Sequence, residues 1–179
     1  VNPAPTDETD GLPMPRRIWA VISVGFALCM SVLDVNIINI VLPTLSHDFG
    51  TSPAVTTWII NGYQLAIVVS LLSFSALGEI IGYRKVYLSG IGLFCITSLI
   101  CALSDSFWTL TIARIFQGFS ASAITSVNTA QLRYIYPKSQ LGRGMGINAM
   151  VVAISAAAGP SVASGILSIA SWHLSLIHI

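Results

Sequence analysis

Residues 16–43 read RRIWAVISVGFALCMSVLDVNIINIVLP, and the reading of this stretch decides the fold. An arginine pair opens it, Pro43 is expected to end it, and the apolar run between exceeds the roughly 20 residues a helix needs to cross a bilayer. Within that run lies a single acid, Asp34, accompanied by Asn36 and Asn39. An ionisable side chain at membrane depth costs about 3 kcal/mol or more, so such groups usually face a protein-enclosed, watered cavity. The competing reading, a misassigned span with Asp34 at a wet helix end, leaves the helix a plain anchor.

Composition supports the membrane reading. Of 179 residues, 54% are hydrophobic and 8% charged, with a mean hydropathy of +0.81. Soluble domains carry about 25% charged residues, so the chain reads as an all-α integral membrane protein. The eight basic residues never cluster beyond pairs, which argues against a nucleic-acid surface. Cys29, Cys95 and Cys101 all lie in apolar runs without metal-ligand spacing and read as packed thiols. His47, His173 and His178 are scattered near segment ends, and none reads as a ligand. No metal site or cofactor is expected. With no nucleophile–base set and no phosphate loop, neither is an enzyme.

Working outward, residues 1–15 are rich in Pro and acids and read as a disordered tail. The chain does not begin with Met, so an upstream start is expected. Helices are expected at about 18–42, 55–77, 86–103, 107–130 and 145–169, with a sixth beginning near Trp172. The third run is the plainest and is expected only to pack or to face lipid. Pro160 removes one backbone hydrogen bond from the fifth run and should kink it. Small residues in the fourth and fifth runs allow close helix approach.

Sorting charges by loop sets the topology. Arg16, Arg17, Arg84, Lys85, Arg133, Lys138 and Arg143 fall on one side, and Asp48 and Asp105 on the other. The basic side is expected to be cytoplasmic, which puts the N-terminus inside and the protein in the inner, plasma membrane with several passes. Arg114 alone among the basic residues lies inside a span. At 1.5 Å per residue, Asp34 sits about 12 Å, Arg114 about 10 Å and Gln64 about 13 Å from the outer face. An acid, a base and an amide at one depth suggest a polar cavity, and pairing the charges lowers the cost of both.

Four stretches in order resemble motifs of the major facilitator superfamily, and within it the fourteen-helix drug:proton antiporters. LDVNIINIVLP (33–43) is similar to that family's first-helix motif, with Asn36 where Thr is usual. SALGEIIGYRK (75–85) resembles its loop signature, with Glu79 at the usual Asp, while Ser75 and Ile80 depart from the usual Gly and Arg. ARIFQGFSASA (113–123) resembles the fourth-helix motif through Arg114, Gln117 and Gly118. Residues 146–165, centred on Gly159-Pro160, resemble the antiporter motif of the fifth helix, with Ser155 at one of its glycines and Ala163-Ser164 at its closing pair.

The resemblance implies the N-terminal part of a two-lobed helical bundle: five transmembrane helices, the start of a sixth, and a C-terminal lobe supplied by the rest of the same protein. It implies a proton-coupled multidrug exporter of lipophilic or cationic small molecules, with protons and the lipid bilayer as its other partners. Asp34 and Arg114 would couple protons, and Glu79, Gly82, Arg84 and Lys85 would latch the basic side. Gly159 and Pro160 would seal the fifth helix, and Asn36, Gln64 and Gln117 would line the substrate cavity. Export of a specific metabolite or siderophore, or a non-transporting membrane role, are the alternatives. The closing LSLIHI (174–179) resembles a translated sequencing-adapter tail and is expected to be non-native, which would make residues 16–173 the front of a longer transporter.

Overall fold

The computed structural model describes residues 11–169, with side chains through 165. Most of the tail expected at 1–15, and all of 174–179 and the start of a sixth helix, lie outside the described residues. The described residues form helices without strands: α1 (Met14–Asp48), a single turn α2 (Pro53–Thr56), α3 (Trp58–Ile81), α4 (Tyr83–Ala102), α5 (Phe107–Ile135) and α6 (Leu141–Ile169). A short 3-10 turn, Lys138–Gln140, leads into α6.

α1 starts earlier and ends later than the sequence suggests. Met14 and Pro15 already belong to its first turn, where a missing N–H is harmless. Arg17 holds this end in place, donating from Nε to the Leu12 carbonyl and from Nη1 to Gln140 Oε1, both at 3.0 Å. At the other end Pro43 does not stop the helix, which continues to Asp48. Proline removes one hydrogen bond, but Val41 and Leu45 on either side of it are buried in an apolar cluster with Ile37, Ile59, Cys101 and Leu110. That packing holds the extra turn. Pro160 likewise sits inside a continuous α6, on its exposed face.

The four segments Met14–Asp48, Pro53–Ile81, Tyr83–Ala102 and Lys138–Gly165 are long and apolar enough to cross a membrane. α5 matches them in length at 29 residues but carries a polar face: Thr111, Arg114, Gln117, Ser120, Ser122 and Asn128 are all buried. It is the central helix, packed most extensively against α3 and α4, while α1 packs chiefly on α6. Exposed aromatics mark both ends of the bundle, Trp58 and Trp108 at one and Trp19 and Tyr134 at the other. Such belts sit at the two membrane–water interfaces. Trp108 and Tyr134 lie 26 residues apart on α5, about 39 Å, enough to bracket the hydrocarbon core.

Polar side chains in apolar helices are accommodated by bonding back one turn. Ser31 donates to the Ala27 carbonyl, Thr97 to Leu93, Thr125 to Ala121 and Ser155 to Val151, at 2.7–3.1 Å. Ser106 caps α5 by accepting from the Thr109 amide at 3.2 Å. Close approach between helices depends on glycine at Gly118 and at Gly159, among other positions. A Cβ at Gly118 on α5 would fall onto the Tyr63 carbonyl and within 2.9 Å of Ala66 Cβ on α3. A Cβ at Gly159 on α6 would meet Asn36 Cβ on α1 at 2.6 Å.

Candidate functional site

The bundle has two apolar cores. One gathers Ile37, Val41, Ile59, Cys101, Leu110 and Ala113, and the other gathers Val24, Tyr63, Phe94, Ala121, Ile124 and Val127. On α1, α4 and α5 the step from one core to the other is made by polar residues: Asp34, Ser98, and the pair Arg114 and Gln117. These side chains meet. Arg114 Nη1 donates to both carboxylate oxygens of Asp34, at 2.8 Å to Oδ1 and 2.6 Å to Oδ2. Both residues are 0% exposed.

Gln117 ties the pair together. Its Oε1 accepts from Arg114 Nη1 at 2.7 Å, and its Nε2 donates to Asp34 Oδ1 at 3.3 Å. On the far side Nε2 reaches Ser98 Oγ at 2.8 Å, and the Cys101 thiol approaches Oε1 at 3.5 Å. The flat face of the Arg114 guanidinium lies 4.2 Å from the centre of the Tyr63 ring, a cation–π arrangement. Arg114 Nε and Nη2 are buried without a hydrogen-bond partner among the described residues.

A buried ion pair has to offset a desolvation cost of several kcal/mol per charge. One nitrogen shared between two carboxylate oxygens, with two guanidinium nitrogens unbonded, is a looser hold than a two-nitrogen fork. A group of three or more His, Cys, Asp or Glu able to hold a metal ion does not occur among the described residues.

The structure brings together Asp34, Arg114 and Gln117 and leaves other expected residues elsewhere. Gln64 is exposed, and its neighbour Tyr63, at 1% exposure, faces the pair instead. Gln64 follows Tyr63 directly in α3, and one residue along a helix turns the side chain by about 100°. Asn36 is half-buried; its amide donates to the Val32 carbonyl of its own helix, and its Cβ packs against Gly159. It touches the fifth-helix motif rather than the ion pair. Pro160 points outward.

Glu79, Arg84 and Lys85 are exposed, with no ion pair to one another. Gly82 between them has φ +98°, a conformation open to glycine, and makes the turn from α3 to α4. Of the three cysteines, Cys101 is packed as expected, Cys95 is exposed and Cys29 is half-buried. α4 departs most from its plain sequence, since Ser98 and Cys101 both reach the polar cluster. Their spacing of three residues on one helical face was the available signal.

Comparisons with known proteins agree with this architecture. The family profile described as Major Facilitator Superfamily matches residues 24–178. The chain is 53% identical over 94% of its length to the uncharacterized transporter YebQ of Escherichia coli, covering 37% of that protein. It is 32% identical over 88% of its length to the riboflavin transporter RibZ of Clostridioides difficile, covering 35% of it. It is also 32% identical over 96% of its length to the tetracenomycin C resistance and export protein of Streptomyces glaucescens, covering 32% of it. The chain thus spans about a third of the length of the curated relatives it matches. Apolar helices of spanning length, a buried charge cluster and these likenesses converge: the chain is a multi-pass membrane protein of the major facilitator superfamily.

Proposed function

We propose that the chain forms the N-terminal lobe of a proton-driven exporter of lipophilic or cationic small molecules, working in the inner membrane with its basic side toward the cytoplasm. The buried Asp34–Arg114 pair carries this reading, since a passive anchor has no use for two charges at membrane depth. When Asp34 is ionised, its charge draws α1 and α5 together through Arg114. One proton added to the carboxylate cancels that charge and replaces an acceptor with an O–H, so the attraction falls and the helices can part. Losing the proton on the other side of the membrane restores the pair. Alternating access in secondary transporters uses rigid-body movement of one bundle against the other, and the rest of the protein would supply the second bundle.

Relatives named for drug resistance and export support a drug-like substrate. A second reading, export or uptake of one specific metabolite, is supported by the relative named as a riboflavin transporter. Transport by the full-length protein in everted membrane vesicles separates them. Proton-driven accumulation of ethidium-like cations, abolished by Asp34→Asn, is the expected result. Proton-driven riboflavin movement without any cation movement would favour the metabolite reading. Undiminished coupling in Asp34→Asn would remove Asp34 from the proton path.

A further inference from the structure

We propose that Ser98 and Cys101 of α4 are positioning residues that grip both ends of the Gln117 carboxamide and thereby set the pH at which the transporter works. This assignment rests on the reading of Asp34 as the proton carrier. Both side chains are buried, at 5% and 0% exposure, and three residues apart they share one face of α4. Ser31, Thr97, Thr111, Thr125 and Ser155 spend their hydroxyls on carbonyls of their own helices. The Ser98 hydroxyl instead meets Gln117 Nε2 across the α4–α5 interface at 2.8 Å. The Cys101 thiol sits 3.5 Å from the other end, Oε1.

A carboxamide has one accepting end and one donating end of nearly equal shape, and its partners decide which way it points. Here the oxygen faces Arg114 Nη1 and the nitrogen faces Asp34 Oδ1. Reversed, a donor would face the guanidinium and an acceptor would face the carboxylate, and both contacts would repel. Arg114 and Asp34 therefore choose the direction. Ser98 and Cys101 brace the amide from the α4 side, against the charges that hold it from the other.

A donor aimed at a carboxylate stabilises the charged form and competes with proton binding. The titratable and charged groups packed around Asp34 are Arg114 on α5, Tyr63 on α3 and Cys101 on α4. Between Gly144 and Gly165, α6 contributes none. Loosening Gln117 while the rest stays in place lets Asp34 bind its proton at lower proton concentration. The pH profile of transport then moves to higher pH.

The test uses the full-length transporter in everted vesicles at matched protein amounts, reading the midpoint of transport against pH. Ser98→Ala is expected to raise the midpoint by roughly half a pH unit, about threefold in proton affinity, as for loss of one modest hydrogen bond. Cys101→Ala should move it less, because a thiol is a weak donor. Ser98→Thr keeps the hydroxyl and Cys101→Ser puts a hydroxyl donor in place of the thiol, so both should leave the midpoint near its wild-type value. In a Gln117→Leu background neither alanine change should shift the midpoint further. An equal shift with and without Gln117, or no shift while Asp34→Asn uncouples transport, overturns the positioning role alone. Intact coupling in Asp34→Asn overturns that role together with the reading beneath it.

Discussion

Two groups of charged residues in this bundle carry the same kinds of side chain in opposite settings. Asp34 and Arg114 are sealed between α1 and α5 with a bond of 2.6 Å between them. Glu79, Arg84 and Lys85 stand in the open around the α3–α4 turn, unpaired with one another. Electrostatics inside the bundle is strong and unforgiving, whereas at the wet end it is screened and worth little. The buried pair is therefore tied to folding and, under the proposed function, to transport as well. The exposed group can matter to transport without holding this lobe together, and the contrast can be tested by breaking each side of it in turn.

The largest effect should come from removing one member of the buried pair. Arg114→Ala leaves Asp34 buried and uncompensated, at an expected cost of about 3–5 kcal/mol. The purified full-length protein should show a sharp fall in Tm or fail to accumulate in the membrane. Replacing both, Asp34→Leu with Arg114→Met, should recover most of the lost Tm, because an apolar pair of similar volume avoids the desolvation cost. Transport should remain dead in that double variant. Recovery of stability and transport together would mean that the pair is structural.

Next in size are the glycine contacts that let the charged helices approach. Gly118→Ala places a methyl group on the Tyr63 backbone and Ala66, and Gly159→Ala places one on Asn36. Overpacking of this kind costs about 1–3 kcal/mol, and thermal unfolding of each variant measures it. Gly118→Ala should also weaken coupling, because Tyr63 covers the Arg114 guanidinium and would move with α3.

These contacts show where sequence reasoning reached and where it stopped. Spans and basic loops were legible because hydropathy and charge are summed over many residues, so an error at any one position is diluted. Asp34 and Arg114 were legible because a charge inside an apolar run is conspicuous. Which face a residue presents depends on one-residue steps of about 100°, and an apolar span gives no polar stripe to fix the rotation. Gln64 was therefore placed at the cluster where Tyr63 stands. Ser98 and Cys101 stayed hidden in α4 because one hydroxyl and one thiol barely change its hydropathy. Pro43 misled for a different reason: a local helix breaker was overruled by the burial of Leu45 beyond it.

The rotation of α3 gives a smaller, paired prediction. Gln117→Leu removes bonds to both charges and to Ser98, and should cost about 1–3 kcal/mol by leaving buried groups unsatisfied. Gln64→Leu changes an exposed side chain and should leave Tm within the range of ordinary surface substitutions. Equal losses of Tm would mean that Gln64, too, faces a packed interior in the full-length protein.

The smallest effect on stability belongs to the open side of the comparison. Glu79→Gln, Arg84→Ala and Lys85→Ala alter exposed side chains on or beside the α3–α4 turn and should give no resolvable change in Tm. If these residues latch the basic side against the rest of the transporter, each variant should still lose transport several-fold. The loss should fall on the rate of exchange rather than on the pH midpoint, since none of them touches the Asp34 cluster. A latch built from exposed charges should also be screened, so the wild-type rate should fall with added salt while an Arg84→Ala rate stays flat. Full transport in all three variants, with an unaltered salt response, would reduce these charges to orienting the chain in the membrane, for which Arg84 and Lys85 need only be basic.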